Sequence, residues 1–143
     1  MVILFDFDGV IIDSMNIREE GFRKVLKDYP ENQVNDLIDF HIRNGGLSRY
    51  VKFRYFFSEI RKESVKDNII LRLADAFSVI MLKELCRKDL LIKDCVDFIK
   101  HNYLTIPMHI VSGSDQKELR IICEALDLSK YFWSGCAADT NRY

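Results

Sequence analysis

Two carboxylates stand two residues apart in Phe5-Asp6-Phe7-Asp8-Gly9-Val10, directly after an apolar run, and Asp13-Ser14 follows them. At the end of a strand such a pair repels itself unless a proton or a cation is shared. A hard divalent cation answers that need, and Mg2+ takes oxygen ligands from one or two carboxylates, water and substrate phosphate. Asp6 and Asp8 are therefore candidate metal ligands. Gly9 permits backbone angles and a close approach that a side chain would block. The competing reading is a capping turn, in which Asp8 or Asp13 merely starts a helix. The wholly apolar strand before the pair and Gly-Val-Ile-Ile-Asp-Ser from residue 9 onward favour the metal.

A second polar cluster, Ser112-Gly113-Ser114, follows the apolar segment Thr105-Ile-Pro-Met-His-Ile-Val111. At the start of a helix, a hydroxyl and unpaired backbone amides favour an anion such as phosphate. Ser112 could equally be an ordinary helix cap.

The elements that must position these groups are legible as patterns. Val2 to Phe5 is continuously apolar, as a strand buried on both faces would be. Residues 15–29 have helical periodicity and stop at Pro30. One apolar stripe follows at Val34, Leu37, Ile38 and Ile42, ending at Gly45-Gly46. Another runs through Phe53, Phe56, Phe57 and Ile60, and a third, long one covers 69–85. A helix over about 93–102 leads to the second strand, and Ser112-Gly113-Ser114 opens a last helix with Asp115 and Glu118 in its first turn. The pattern predicts an α/β fold: a Rossmann-like parallel sheet core from 1–14 and 89–143, with an all-helical insert over 15–88. Ligands of such sheets bind beyond the carboxyl ends of the strands, where both polar clusters fall.

Bulk composition narrows the partners. Lys plus Arg (21) nearly balances Asp plus Glu (22), so no global field exists to hold nucleic acid or an anionic membrane. No apolar stretch approaches the roughly 20 residues of a membrane span, and the acidic N-terminus is unlike a signal peptide. A cytoplasmic location is expected. Cys86, Cys95, Cys123 and Cys136 form no CxxC pair, and three of them, set among apolar residues, read as small buried thiols. His41, His101 and His109 are scattered and carry no catalytic pattern.

The stretch from Phe5 to Val10 resembles the first motif of the haloacid dehalogenase superfamily, in the phosphatases and phosphomutases that carry a helical cap after it. Val111-Ser112-Gly113-Ser114 is similar to the second motif, and Tyr131-Phe132 resembles the approach to the third. The resemblance implies that Asp6 is the nucleophile, forming an aspartyl-phosphate, and that Asp8 is general acid and then base. It implies Mg2+ on Asp6 and Asp8, phosphate contacts from Gly9, Ser112 and Gly113, and a small phosphorylated metabolite as substrate. The insert over 15–88 resembles the cap, and Arg49, within Gly45-Gly46-Leu47-Ser48-Arg49, is the candidate cap residue for substrate. A solvated basic face is the bland alternative for Arg49.

The resemblance breaks near the C-terminus. The family's third motif supplies a Lys and its fourth one or two acids, but no Lys follows Lys130, and Asp139 and Arg142 are the last charges. The chain thus reads as a shortened or frameshifted member, expected to be weak or inactive alone. Its first strand would be left at an open edge that permits self-association. The competing function is a catalytically incomplete phosphate-binding or interaction module.

Overall fold

The computed structural model describes residues 1–133 of the 143. The chain opens with β1 (Ile3–Phe5), and β2 (Met108–Ile110) pairs with it in parallel, Ile3 opposite Met108 and Phe5 opposite Ile110. Between them lie α1 (Met15–Val25), α2 (Glu31–Arg43), α3 (Arg49–Tyr55), α4 (Asp67–Leu85) and α5 (Lys93–Asn102), with α6 (Gln116–Ala125) after β2. The fold is α/β, mostly helical around a short parallel sheet. Over 15–85 no strand interrupts the helices, as the periodicities predict.

Each boundary has a local cause. Pro30, at the N-cap of α2, cannot continue the preceding helix and fits the start of the next. The Ser48 hydroxyl accepts from Val51 N and caps α3. Beyond Tyr55 the backbone widens into a π-helical turn over Phe56–Ile60, whose rings stack edge-on around Tyr29. Phe22 of α1, Phe53 of α3 and Phe77 of α4 interlock with ring centroids 4.5–6.4 Å apart, within the favourable aromatic range. One continuous apolar core joins these helices to the sheet.

Three expectations need correction. The first strand is not buried on both faces: Leu4 is 65% exposed. Among the described residues β1 pairs only with β2, and helices cover only the face that Ile3 and Phe5 present. The last helix starts at Gln116, not at the serines, because Asp115 caps it by accepting from Lys117 N and Glu118 N. Cys86 and Cys95 are free, but Cys123 is disulfide-bonded. Pairing depends on proximity in the fold, which cysteine spacing does not encode. Asp139, Arg142 and the departure from the third and fourth motifs lie outside the described residues. Among the described residues no helix is long and apolar enough to cross a membrane.

Candidate active site

The carboxyl ends of β1 and β2 lead directly into the two polar clusters, and a cavity of about 410 Å3 opens there. Phe7, fully buried, anchors the first loop, and its carbonyl accepts from the amides of Ile11 and Ile12. Asp6 and Asp8 are thereby aimed past the sheet while Ile11 and Ile12 fill the core behind them. Gly9 makes the return possible with φ +76°, a conformation costly for any residue bearing a Cβ. Its amide is spent on the carbonyl of Ile12 at 2.8 Å.

Asp6, Asp8, Ser112, Gly113 and Arg49 all line this one cavity. Gly9 stands outside the residues that line it and shapes the turn that brings Asp8 to its rim. Ser112 is buried, and its hydroxyl accepts from Ser114 N at 3.1 Å, folding the loop tightly at the cavity rim. The glycine beside it is a steric requirement. A Cβ on Gly113 would sit 2.5 Å from the carbonyl oxygen of Gly46, so the 112–114 loop lies directly against the loop after α2. Gly113→Ala should therefore cost about 1–3 kcal/mol in chemical denaturation. Gly45→Ala meets nothing within 4 Å and should stay within about 0.5 kcal/mol. Equal losses in the two variants would contradict the packing.

Charge in the cavity is ordered around Arg18. Its Nε donates to Asp8 Oδ1 at 3.0 Å, Nη1 to Glu118 Oε1 at 2.9 Å and Nη2 to Ser114 Oγ at 3.0 Å. Ser14 also donates to Asp8 Oδ1, so residues 14 and 18, one helical turn apart, grip the same carboxylate. Burial pushes the Asp8 carboxyl up, but the Arg18 guanidinium and the Ser14 hydroxyl outweigh it and hold Asp8 below the usual carboxylate range. Glu118 behaves alike. Burial opposes its charge, yet Arg49 and Arg18 keep it below its ordinary value. Arg49 Nη1 lies 2.6 Å from Glu118 Oε2, donates to Ser78 Oγ, and its guanidinium sits 4.7 Å over the Phe77 ring. One buried acid on α6 thus ties together cations from α1 and α3.

Lys52 and His41 form the other polar pair, with Lys52 Nζ 2.9 Å from His41 Nδ1. Burial first and the Lys52 ammonium second press His41 down to about 4. Burial and the Arg18 charge bring Lys52 down to about 8. His41 is consequently neutral at pH 7, accepting at Nδ1 and carrying its proton on Nε2. Since its folded value lies below 6.5, the unfolded chain binds more protons between pH 6.5 and 4. Stability should thus fall by on the order of 2 kcal/mol across that window as pH is lowered. Urea midpoints measured at both ends should show this fall, and His41→Phe should flatten it. An undiminished slope in the variant would exclude His41 as the source.

A hard cation fits the donor set. Asp6 and Asp8 offer carboxylate oxygens on one wall, and both hydrogen bonds to Asp8 fall on Oδ1. No cluster of three or more His, Cys, Asp or Glu side chains occurs among the described residues, so water and substrate would complete the shell.

Sequence reasoning did not single out Arg18, Glu118, Lys52 and His41 together. The four-residue spacing of Ser14 and Arg18 was the available signal. Asp115 and Glu118 have the spacing of a helix cap box, which predicts a local contact for Glu118 instead of its reach to Arg18 and Arg49.

Comparisons with known proteins bear on the family and the fold. The model of the haloacid dehalogenase-like hydrolases matches residues 3–141. Among curated proteins none matches significantly. A haloacid dehalogenase-like family hydrolase from Streptococcus pneumoniae superposes with a TM-score of 0.62 at 14% identity, covering 98% of this chain and 61% of its own. A β-phosphoglucomutase from Clostridium difficile superposes with a TM-score of 0.66 at 17% identity, covering 92% of this chain and 59% of its own. At such identities the likeness establishes the fold, and the chain spans about three fifths of the length of these two structures. With the family model running almost from end to end, the chain belongs to the haloacid dehalogenase-like hydrolases.

Proposed function

We propose that this site hydrolyses the phosphomonoester of a small metabolite through an aspartyl-phosphate on Asp6, with Mg2+ held by Asp6 and Asp8. The observation that carries the reading is the meeting of Asp6, Asp8 and Ser112 on one cavity wall from clusters about a hundred residues apart in sequence. A carboxylate oxygen of Asp6 attacks phosphorus, the bond to the ester oxygen breaks, and that oxygen takes the proton the substrate brought as a phosphate monoanion, relayed through Asp8. Water then attacks the phosphorus of the acyl phosphate, Asp8 recovers a proton from it, and Asp6 is released. The bound cation would lower the charge repulsion between carboxylates and phosphate.

Arg18 suits this cycle. By holding Asp8 anionic it prepares the base of the second half, and a substrate arriving as the phosphate monoanion supplies the proton needed for the first. Ser112 and the amide at 113 would meet the phosphate oxygens at the cavity rim. The helices over 15–85 act as the cap, keeping bulk water from the acyl phosphate, and Arg49 shapes the substrate wall. A panel of phosphate monoesters assayed with Mg2+ and with chelator tests the reading. Metal-dependent phosphate release from at least one class is expected, and no release across the panel would remove it.

A further inference from the structure

We propose that Lys52 and His41 form a receptor for a second anionic group of the substrate, a carboxylate or a second phosphate, distinct from the phosphoryl group that faces Asp6. This rests on the phosphomonoester reading and narrows it to substrates that carry two acidic groups.

The three buried cations of the cavity are compensated unequally. Arg18 is paired with Asp8 and Glu118, and Arg49 with Glu118. Lys52 is only 3% exposed, yet no carboxylate lies within ion-pair distance of it among the described residues. Its one side-chain hydrogen bond there goes to a neutral imidazole. A buried ammonium without a counter-charge is costly, and that cost is relieved when an anion arrives.

The hydrogen-bond inventory points the same way. An ammonium has three N–H donors, of which His41 Nδ1 takes one. Because Nδ1 accepts, the ring proton of His41 is on Nε2, and this atom is buried without a partner. Lys52 and His41 both line the cavity that holds Asp6 and Ser112. Lys52, with two unspent donors, and His41, with one, therefore border one space, next to an uncompensated positive charge. A hydroxyl could satisfy the donors but not the charge. Leu47, Phe22 and Phe77 form apolar wall in the same cavity, suiting a short carbon skeleton between two anionic ends.

Equilibrium binding separates this from the catalytic reading, because phosphonates are not hydrolysed. A series of ω-phosphonocarboxylates and α,ω-bisphosphonates of increasing chain length is compared, in Mg2+, with alkylphosphonates of matched length. At the best length the doubly acidic ligand should bind about tenfold more tightly, as a charged hydrogen bond to a buried cation implies. The arm in which this occurs identifies the second group as carboxylate or phosphate. Lys52→Met, which keeps the stem without the charge, should bring the two ligand types within about twofold of each other. Lys52→Arg should retain the preference, and His41→Phe should weaken it while keeping the ring that packs on Phe22 at 5.0 Å. If Lys52→Met fails to fold, as a melting curve reports, His41→Phe carries the test. No preference at any length in the wild type, or a preference unchanged in the variants, overturns the proposal. Preference for the diacid without hydrolysis of any monoester would leave the receptor standing and remove the phosphatase.

Discussion

Asp6→Asn should lower Mg2+-dependent phosphate release by about 10³-fold or more, with the fold intact. An amide of the same shape lacks the anionic oxygen that attacks phosphorus, so the loss falls on the chemical step. The Asp6 Oδ1 contact with Phe7 N, at 2.7 Å, survives in the amide if its oxygen takes that place. Stability should therefore hardly change, and a melting curve close to wild type accompanies the lost activity. A reduction smaller than about tenfold would mean that another group attacks, or that water does so directly.

Glu118→Ala should destabilise the chain by about 3 kcal/mol. Glu118 is 2% exposed and stands between Arg18 and Arg49. Removing it leaves two buried guanidinium groups short of an anion, and an uncompensated buried charge is among the costlier single defects. The loss is bounded because Arg18 keeps Asp8 and Ser114, and Arg49 keeps Ser78 and the Phe77 face. Urea unfolding gives the number, read as a shifted midpoint at unchanged slope. The same network adds an acid-labile component. Both Glu118 and Asp8 titrate below their ordinary values in the fold, so what they contribute is complete above about pH 4.5 and is lost as pH falls further. That window opens at the acid end of the one assigned to His41, and Glu118→Ala should shrink it. A cost under about 1 kcal/mol would show that the bridge between α6 and the helices of the long excursion adds little beyond a surface ion pair.

Much of the framework can be read from residue patterns because it follows from local periodicity. The long excursion shows helical spacing throughout, and Pro30 falls where one helix yields to the next. The two clusters could be placed at the sheet end because each follows an apolar run too short and too β-branched for a helix. The strand departs from its pattern at Leu4, since an apolar run states what a residue would bury, not whether a neighbour is there to cover it. The electrostatics were less legible still. Ser14 and Arg18 grip Asp8 from one helical turn, a local relation. Glu118 reaches Arg18 across a hundred residues, and Lys52 meets His41 across a helix-to-helix turn, so both contacts exist only after packing. In the sequence Arg49 is only a charge near glycines, whereas its partners Glu118, Ser78 and Phe77 come from two other helices.

The most direct measurement is acid quenching of the full chain during turnover of a phosphomonoester with Mg2+, followed by peptide mass spectrometry. The account predicts one added phosphoryl group on the peptide containing Asp6, absent in Asp6→Asn and absent when the metal is chelated. Steady phosphate release with no phosphoryl group on that peptide, or with the group on another residue, would contradict it.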